Sequence, residues 1–369
     1  MTERVTLTSG GRIVVKVGSS SLAKPDGGID QVAIARVIQQ ICGLWDSGHR
    51  VVLVSSGAVA AGLPHVGGRP RDITGLQVAA AVGQTRLMEH YSRAFAVEGR
   101  TVGQVLLTKD ILGVRSQYLH ARAALERMLE EGIVPIVNEN DTVAVEELKL
   151  GDNDRLAAIV SHLVSADLLI MLTDTEGLYS ADPNEGDAEL LSAVRHTDEI
   201  LDEVAGGRSG PLGSGGVATK VAAARMAAWS GIDTVIARAD QDDVVGRIVR
   251  GESVGTHVTP HDSKLTARKL WIAFGQRAEG TVTIDPGAVQ AMVERGGSLL
   301  AVGVTKVTGD FPPGAAVEVE DSTGALVAKG VSGLSAGRLR EVMGRRTDEV
   351  GNDGEAIHRD QLVVLANGD

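Results

Sequence analysis

Two lysines of this 369-residue chain stand beside glycine-rich turns, and a dense group of carboxylates and amides lies between them in sequence. Lys16 sits in IVVKVGSSSL, an apolar run that ends in a Gly-Ser-Ser-Ser turn. Burying an ammonium is costly, so a lysine in such a run needs either an anionic partner or a sheet edge from which to reach solvent. The glycine turn behind it, whose N–H groups can face an anion, adds the features of a phosphate clamp. Lys220 closes GPLGSGGVATK at the start of a helical pattern, behind Gly213, Gly215 and Gly216. The register of a Walker A loop is not met, and no dinucleotide G-x-G-x-x-G stands in a strand–turn–helix setting. Backbone N–H groups and a cation at a helix start can still hold a polyphosphate. The competing reading is a surface hairpin.

Three further segments place polar groups at the ends of apolar runs. VVLVSSGAVAAGL puts Ser55, Ser56 and Gly57 at a strand-to-helix corner, which is either a ligand site or a tight turn with a serine cap. In VNENDTVAVEELKLGDNDRLAA, Asn138, Glu139, Asn140 and Asp141 follow a strand, and Asp152, Asn153 and Asp154 precede a helix. Carboxylates accept where amides and hydroxyls donate, so the pair of clusters suits a substrate bearing both an ammonium and carboxylates. An acidic loop with Asp154 capping a helix is the plainer alternative, and the spacing fails as a calcium loop. LLIMLTDTEGLYSADP places Thr173 and Asp174 at another strand end. Lysines and glycine turns around converging carboxylates and amides form a phosphoryl-transfer constellation, since cations stabilise charge on the migrating group and on the leaving group. A carboxylate acceptor is ionised at neutral pH and needs no general base, which agrees with the lack of a persuasive catalytic histidine.

These segments need rigid elements to hold them. Apolar strands are expected at Arg12–Val17, Arg50–Val54, Val102–Leu107, Ile133–Val137, Leu168–Leu172 and Thr234–Ala237, with helices Gln31–Asp46, Thr74–Val97, Ser116–Glu130, Arg155–Ser165 and Ala218–Ser230 between them. Continuous apolar strands alternating with helices predict a three-layer α/β/α sandwich with a mostly parallel sheet, whose ligands collect outside the carboxyl ends of the strands. After Gly255 the texture changes to short runs such as TVTID, AAVEVED and LVAKGVS, the pattern of a small β-barrel-like domain. The expected division is 1–257, a linker 258–277, and 278–369.

Composition removes several functions. No apolar run approaches the roughly 20 residues of a membrane span, and MTERVTLTSGGR carries no secretory h-region, so a cytoplasmic enzyme is expected. Cys42 stands alone, which excludes an internal disulfide framework and a cysteine-built zinc site. Net charge is −12 and aromatics make up 2%, which opposes nucleic acid as the main partner.

In order, IVVKVGSSSL, VSSGAVAAG, AAVGQTRLM, VPIVNENDTVAV, KLGDNDRLAA, MLTDTEGLYSADP and SGGVATK resemble the amino acid kinase family, in its glutamate-phosphorylating branch. EGTVTIDPGA, GGSLLAVGV and the late RDQL look like an appended PUA domain, so the resemblance covers nearly the whole chain. It implies transfer of the ATP γ-phosphoryl, with magnesium (Mg2+), to the side-chain carboxylate of L-glutamate. The product, glutamyl 5-phosphate, would open proline biosynthesis and pass to glutamyl phosphate reductase, with proline as feedback inhibitor and a dimer or tetramer as the assembly. Carried over by position, Lys16 and Lys220 flank the phosphoryl and Asp154 orients them. Ser56, Asp141 and Asn153 would bind glutamate. Thr173, Asp174, Ser214, Gly215, Gly216, Val217, Ala218, Thr219 and Lys220, with Lys16, would hold the nucleotide. Magnesium would ride on the phosphates, with no dedicated protein ligand set. Ser55, Ser214 and Val217 depart from the residues common there, which bears on nucleotide preference.

Sister kinases acting on aspartate, N-acetylglutamate, carbamate or a nucleoside monophosphate share the lysine–glycine framework, but GDNDRLAA and the PUA-like tail fit the glutamate branch better. An RNA-binding regulator is the alternative from another class, because PUA domains elsewhere bind RNA. The acidic excess after Gln276 opposes it.

Overall fold

The computed structural model describes residues 4–24, 28–67, 70, 72–143, 153–183, 186, 188–206, 216–262 and 264–365. Contacts divide the chain into two units, Met1–Lys264 and Leu265–Asp369.

The first unit runs β1 (Arg12–Val17), α1 (Gln31–Asp46), β2 (Arg50–Ser55), α2 (Ala58–Gly62), α3 (Ile73–Val97), β3 (Val102–Leu107), α4 (Arg115–Glu130), β4 (Val134–Glu139), α5 (Asn153–Leu163), β5 (Leu168–Thr173), β6 (Ala193–Arg195), α6 (Ile200–Gly206), α7 (Gly216–Trp229), β7 (Asp233–Arg238), α8 (Val244–Val249) and β8 (Thr256–Thr259). Among the described residues these strands form one sheet in the order β3-β4-β2-β1-β5-β7-β8-β6. Every neighbouring pair is parallel except β7 with β8. Helices α1, α3 and α8 pack together, as do α4, α5, α6 and α7, giving the two outer layers of an α/β/α sandwich. The central strands are buried along almost their whole length because helices cover both faces, so they read as unbroken valine, isoleucine and leucine.

Local chemistry fixes the elements. Asp30 caps α1 by accepting from the N–H groups of Val32 and Ala33 at 2.9 and 3.2 Å. That helix buries Ile34, Val37, Ile38, Ile41 and Trp45, the three- and four-residue spacing of one helical face. Strand order reverses at β1, since the chain adds β2 on one side of it and β5 on the other, and a crevice opens at such a switch point.

The contact between α2 and α3 is unusually close. A Cβ on Gly83 would overlap the Ala58 carbonyl oxygen, and one on Gly62 would overlap that of Ala79. Alanine adds about 1 kcal/mol of helix propensity over glycine, whereas overpacking costs about 1–3 kcal/mol and here meets rigid backbone on both sides. The steric cost therefore wins. Gly83→Val is expected to lower stability by about 3 kcal/mol, read as the urea midpoint, and to weaken binding at the corner that precedes α2. An unchanged midpoint would refute the close packing.

The second unit contains α9 (Ala267–Leu270), β9 (Gly280–Ile284), α10 (Pro286–Val293), β10 (Leu299–Leu300), β11 (Val304–Gly309), β12 (Ala316–Glu320), β13 (Leu326–Val331), α11 (Ala336–Val342), α12 (Thr347–Val350), β14 (Glu355–Ile357) and β15 (Leu362–Val364). Its main sheet has the order β11-β9-β12-β13-β15, and β10 pairs with β14. The core of this β-rich domain is built by residues such as Val282, Ile284, Met292, Val317, Val319, Leu339 and Ile357.

Candidate active site

Lys16 lies inside β1, opposite Val54 of β2 and Met171 of β5, so the sheet-edge route to solvent is closed. The residue is 1% exposed. A buried aliphatic residue contributes about 1.5–3 kcal/mol, while desolvating one ion costs several kcal/mol, so β1 tolerates this lysine only because a carboxylate meets it. Lys16 Nζ stands 2.6 Å from Oδ1 of Asp154, itself fully buried on the first turn of α5. Burial pushes the Lys16 ammonium below the usual lysine range, Asp154 pulls it back up, and the charge of Lys220 pushes it down again.

The other oxygen of Asp154 serves α7. Oδ2 accepts from the Thr219 hydroxyl at 2.8 Å and lies 3.4 Å from Lys220 Nζ, which also donates to the Gly216 carbonyl at 3.0 Å. One carboxylate thus holds two ammonium groups from distant parts of the chain. Val217 and Ala218 are exposed on the same helical turn as Gly216. Ser214 and Gly215 lie outside the described residues. Thr173 ends β5, next to β1 in the sheet, and donates to the Asp174 carboxylate at 3.0 Å. Asp174 is exposed.

Beside the lysines runs a chain of amides. Asn153, first residue of α5, donates through Nδ2 to the Ser55 carbonyl at 2.6 Å and to Asn138 Oδ1 at 2.7 Å. Asn138 Nδ2 donates in turn to Gln84 Oε1 of α3 at 2.7 Å. Ser55 and the fully buried Tyr91 share a hydrogen bond of 2.7 Å, which ties the β2 corner to α3. Ser56 is buried, and its hydroxyl has no partner among the described residues. Asn138 and Glu139 belong to β4 itself, because the ladder with β3 extends to Leu107 opposite Glu139; they do not follow the strand as the sequence suggested. Asp141 stands in the turn after β4, where burial pushes its carboxyl up to about 6 and Lys109 offsets part of that rise.

The predicted residues therefore form two groups. Lys16, Asp154, Thr219 and Lys220 are in direct contact. Asn153 continues from Asp154 along the helix into the amide chain, and Ser56 follows the Ser55 carbonyl that anchors it. Asp141 and Thr173–Asp174 stand at the ends of β4 and β5, and among the described residues they make no hydrogen bond or ion pair to either group. Sequence reasoning gave no role to Gln84 or Tyr91. Their spacing of seven on α3 was visible, as was Gly83 in mid-helix, a mark of close packing. Among the described residues, no group of three or more His, Cys, Asp or Glu side chains is placed to hold a metal ion.

Known proteins match this chain along nearly its whole length. Residues 11–238 match the amino acid kinase family, and residues 280–352 the PUA domain. The glutamate 5-kinase of Frankia casuarinae is 45% identical over 98% of this chain and 99% of its own. That of Pseudomonas paraeruginosa is 44% identical over 98% and 100%, and that of Myxococcus xanthus 44% over 99% of each. Identity of this order, extending through kinase sheet and C-terminal domain alike, makes the chain a member of the amino acid kinase family in its glutamate 5-kinase branch.

Proposed function

We propose that this protein transfers the γ-phosphoryl of ATP to the side-chain carboxylate of L-glutamate, giving L-glutamyl 5-phosphate. The observation that carries the reading is the convergence of Lys16 and Lys220 on Asp154 at the switch point of the sheet, with a ready array of amide and hydroxyl groups beside it. A carboxylate oxygen of glutamate attacks the γ-phosphorus as the bond to the bridging oxygen breaks, and the electron pair leaves with ADP. No proton has to move, because the nucleophile is already ionised. Lys16 and Lys220 meet the negative charge on the transferring and leaving oxygens, while Asp154 aims both ammonium groups. Thr173, Asp174 and the start of α7 hold the nucleotide.

Both oxygens of Asp154 face cations, and Asp174 is the exposed carboxylate on the nucleotide side. That donor set suits a magnesium ion bound mainly through ATP oxygens, where it neutralises phosphate charge. Asp141 and Asn153 accept from the α-ammonium of glutamate. The described helices include none long and apolar enough to cross a membrane, and a cytoplasmic place in proline synthesis follows from the product. Proline as feedback inhibitor, a dimer or tetramer, and hand-over to glutamyl phosphate reductase complete the reading. The chemistry belongs to residues 1–257, with 278–369 tuning it. A hydroxamate assay with ATP and, in turn, glutamate, aspartate, N-acetylglutamate and UMP tests the substrate; turnover confined to another acceptor would sink it.

Asp141 gives a second check. An ammonium is attracted only by the ionised carboxylate, so the glutamate KM of the wild type is expected to fall as pH rises through about 6. Asp141→Asn should raise that KM at least about tenfold, remove the pH inflection and leave the ATP KM nearly unchanged. Stability moves the opposite way. A carboxyl raised from 3.8 to about 6 favours the folded state while protonated and loses that contribution as pH rises through about 6. Without glutamate at pH 7.5, the variant should therefore melt at a higher temperature than the wild type. Equal weakening for both substrates would point to a collapsed site instead.

A further inference from the structure

The amide chain has a fixed polarity. The Glu139 N–H can only donate, and it donates to Asn138 Oδ1 at 2.9 Å; the Ser55 carbonyl can only accept, and it accepts from Asn153 Nδ2. These two backbone groups set the orientation of Asn138 and Asn153, so Asn138 must present Nδ2 to Gln84 and receive Oε1 in return. Gln84 Nε2 is then left as a buried donor without a partner among the described residues. Leaving such a donor unpaired costs about 1–3 kcal/mol. A second unpaired donor, the Ser56 hydroxyl, lies on the same corner, because Gly83 beside Gln84 touches the backbone of Ala58 just beyond Ser56 and Gly57.

The order along the chain places these groups relative to the reaction. Asp154 with its lysines stands at one end, Asn153 and Asn138 follow, and Gln84 is at the end remote from the lysines. An amino-acid acceptor whose side-chain carboxylate meets the phosphoryl carries its second carboxylate away from the lysines, toward α3. We propose that Gln84 is a specificity residue whose amide N–H donates to the α-carboxylate of the bound substrate. This rests on the glutamate reading above. The same amide fixes the acceptor face of Asn153: both protons of its Nδ2 are committed, which leaves Oδ1 for an ammonium.

Gln84→Glu is the sharp test, because it keeps the oxygen that accepts from Asn138 and replaces only the donor. The glutamate KM is expected to rise about 10- to 100-fold, with the ATP KM within about twofold. Glutamate α-amide, neutral and able to donate where glutamate carries charge, should gain on glutamate by at least the same factor. It is measured as a substrate or, where turnover is slow, as a competitive inhibitor. Gln84→Met, which removes donor and acceptor together, should shrink the preference for glutamate over the α-amide. A glutamate KM unchanged in Gln84→Glu overturns the inference. So does an equal loss for glutamate and its α-amide in both variants, the signature of an amide that only props Asn138. A wild-type enzyme that does not phosphorylate glutamate defeats the parent reading instead, and the two failures are distinct.

Discussion

Lys220→Met will lower kcat by about 10³-fold while the glutamate KM moves less than about threefold. Lys220 reaches Asp154 from the start of α7, behind the glycine-rich segment, and among the described residues its hydrogen bonds go to Asp154 and Gly216, not to the amide chain. Its loss removes charge stabilisation that matters most as the phosphoryl leaves ADP, not while glutamate binds. Methionine keeps the length and the apolar stem, so the urea midpoint should barely change. A variant that retains most of its kcat would take Lys220 out of the mechanism.

Asp154→Asn will fail on both counts. The substitution keeps the shape but strips the counterion from Lys16, which has no other anion within ion-pairing distance among the described residues. Removing one partner of a buried pair costs about 3–5 kcal/mol, and kcat should fall by at least about 10³-fold because both lysines lose their aim. The pH dependence identifies the cause. Burial already depresses the Lys16 ammonium, and losing Asp154 depresses it further. A lysine that binds its proton less tightly when folded than when unfolded makes stability rise with pH. The deficit of the variant should therefore shrink between pH 7 and 10, as Lys16 becomes neutral. A stability loss independent of pH would mean that packing, not charge, is at stake.

The layered sheet was legible because its strands are long and apolar and its helices amphipathic. The expected helix Gln31–Asp46 has the same bounds as α1, and each expected long strand is present within about two residues. What escaped was short. β6 and β8 pair through three residues at the far edge, too few for any period to emerge from Ala-Val-Arg or Thr-His-Val-Thr. The stretch 258–277, expected as a linker, includes the end of β8 and the helix α9, capped by Thr266. The lysines and Asp154 announced themselves by chemistry, as charged groups in apolar runs. The Gln84–Asn138–Asn153 chain could not, because its polarity depends on which backbone groups three separate elements bring together.

The central position of β1 has a consequence for how the protein is made. Ribosomes release the strand bearing Lys16 early, and β2 soon afterwards can cover one of its edges. The other edge waits for β5, and the lysine waits for Asp154 just ahead of β5. At elongation rates of about 5–20 residues per second that gap lasts on the order of ten seconds. Throughout it, the nascent polypeptide carries an apolar strand with one open side and an ammonium without its anion. The charge that later serves phosphoryl transfer thus guards the unfinished chain, since a lysine in the middle of an exposed edge discourages pairing with another nascent copy until its own carboxylate has left the exit tunnel.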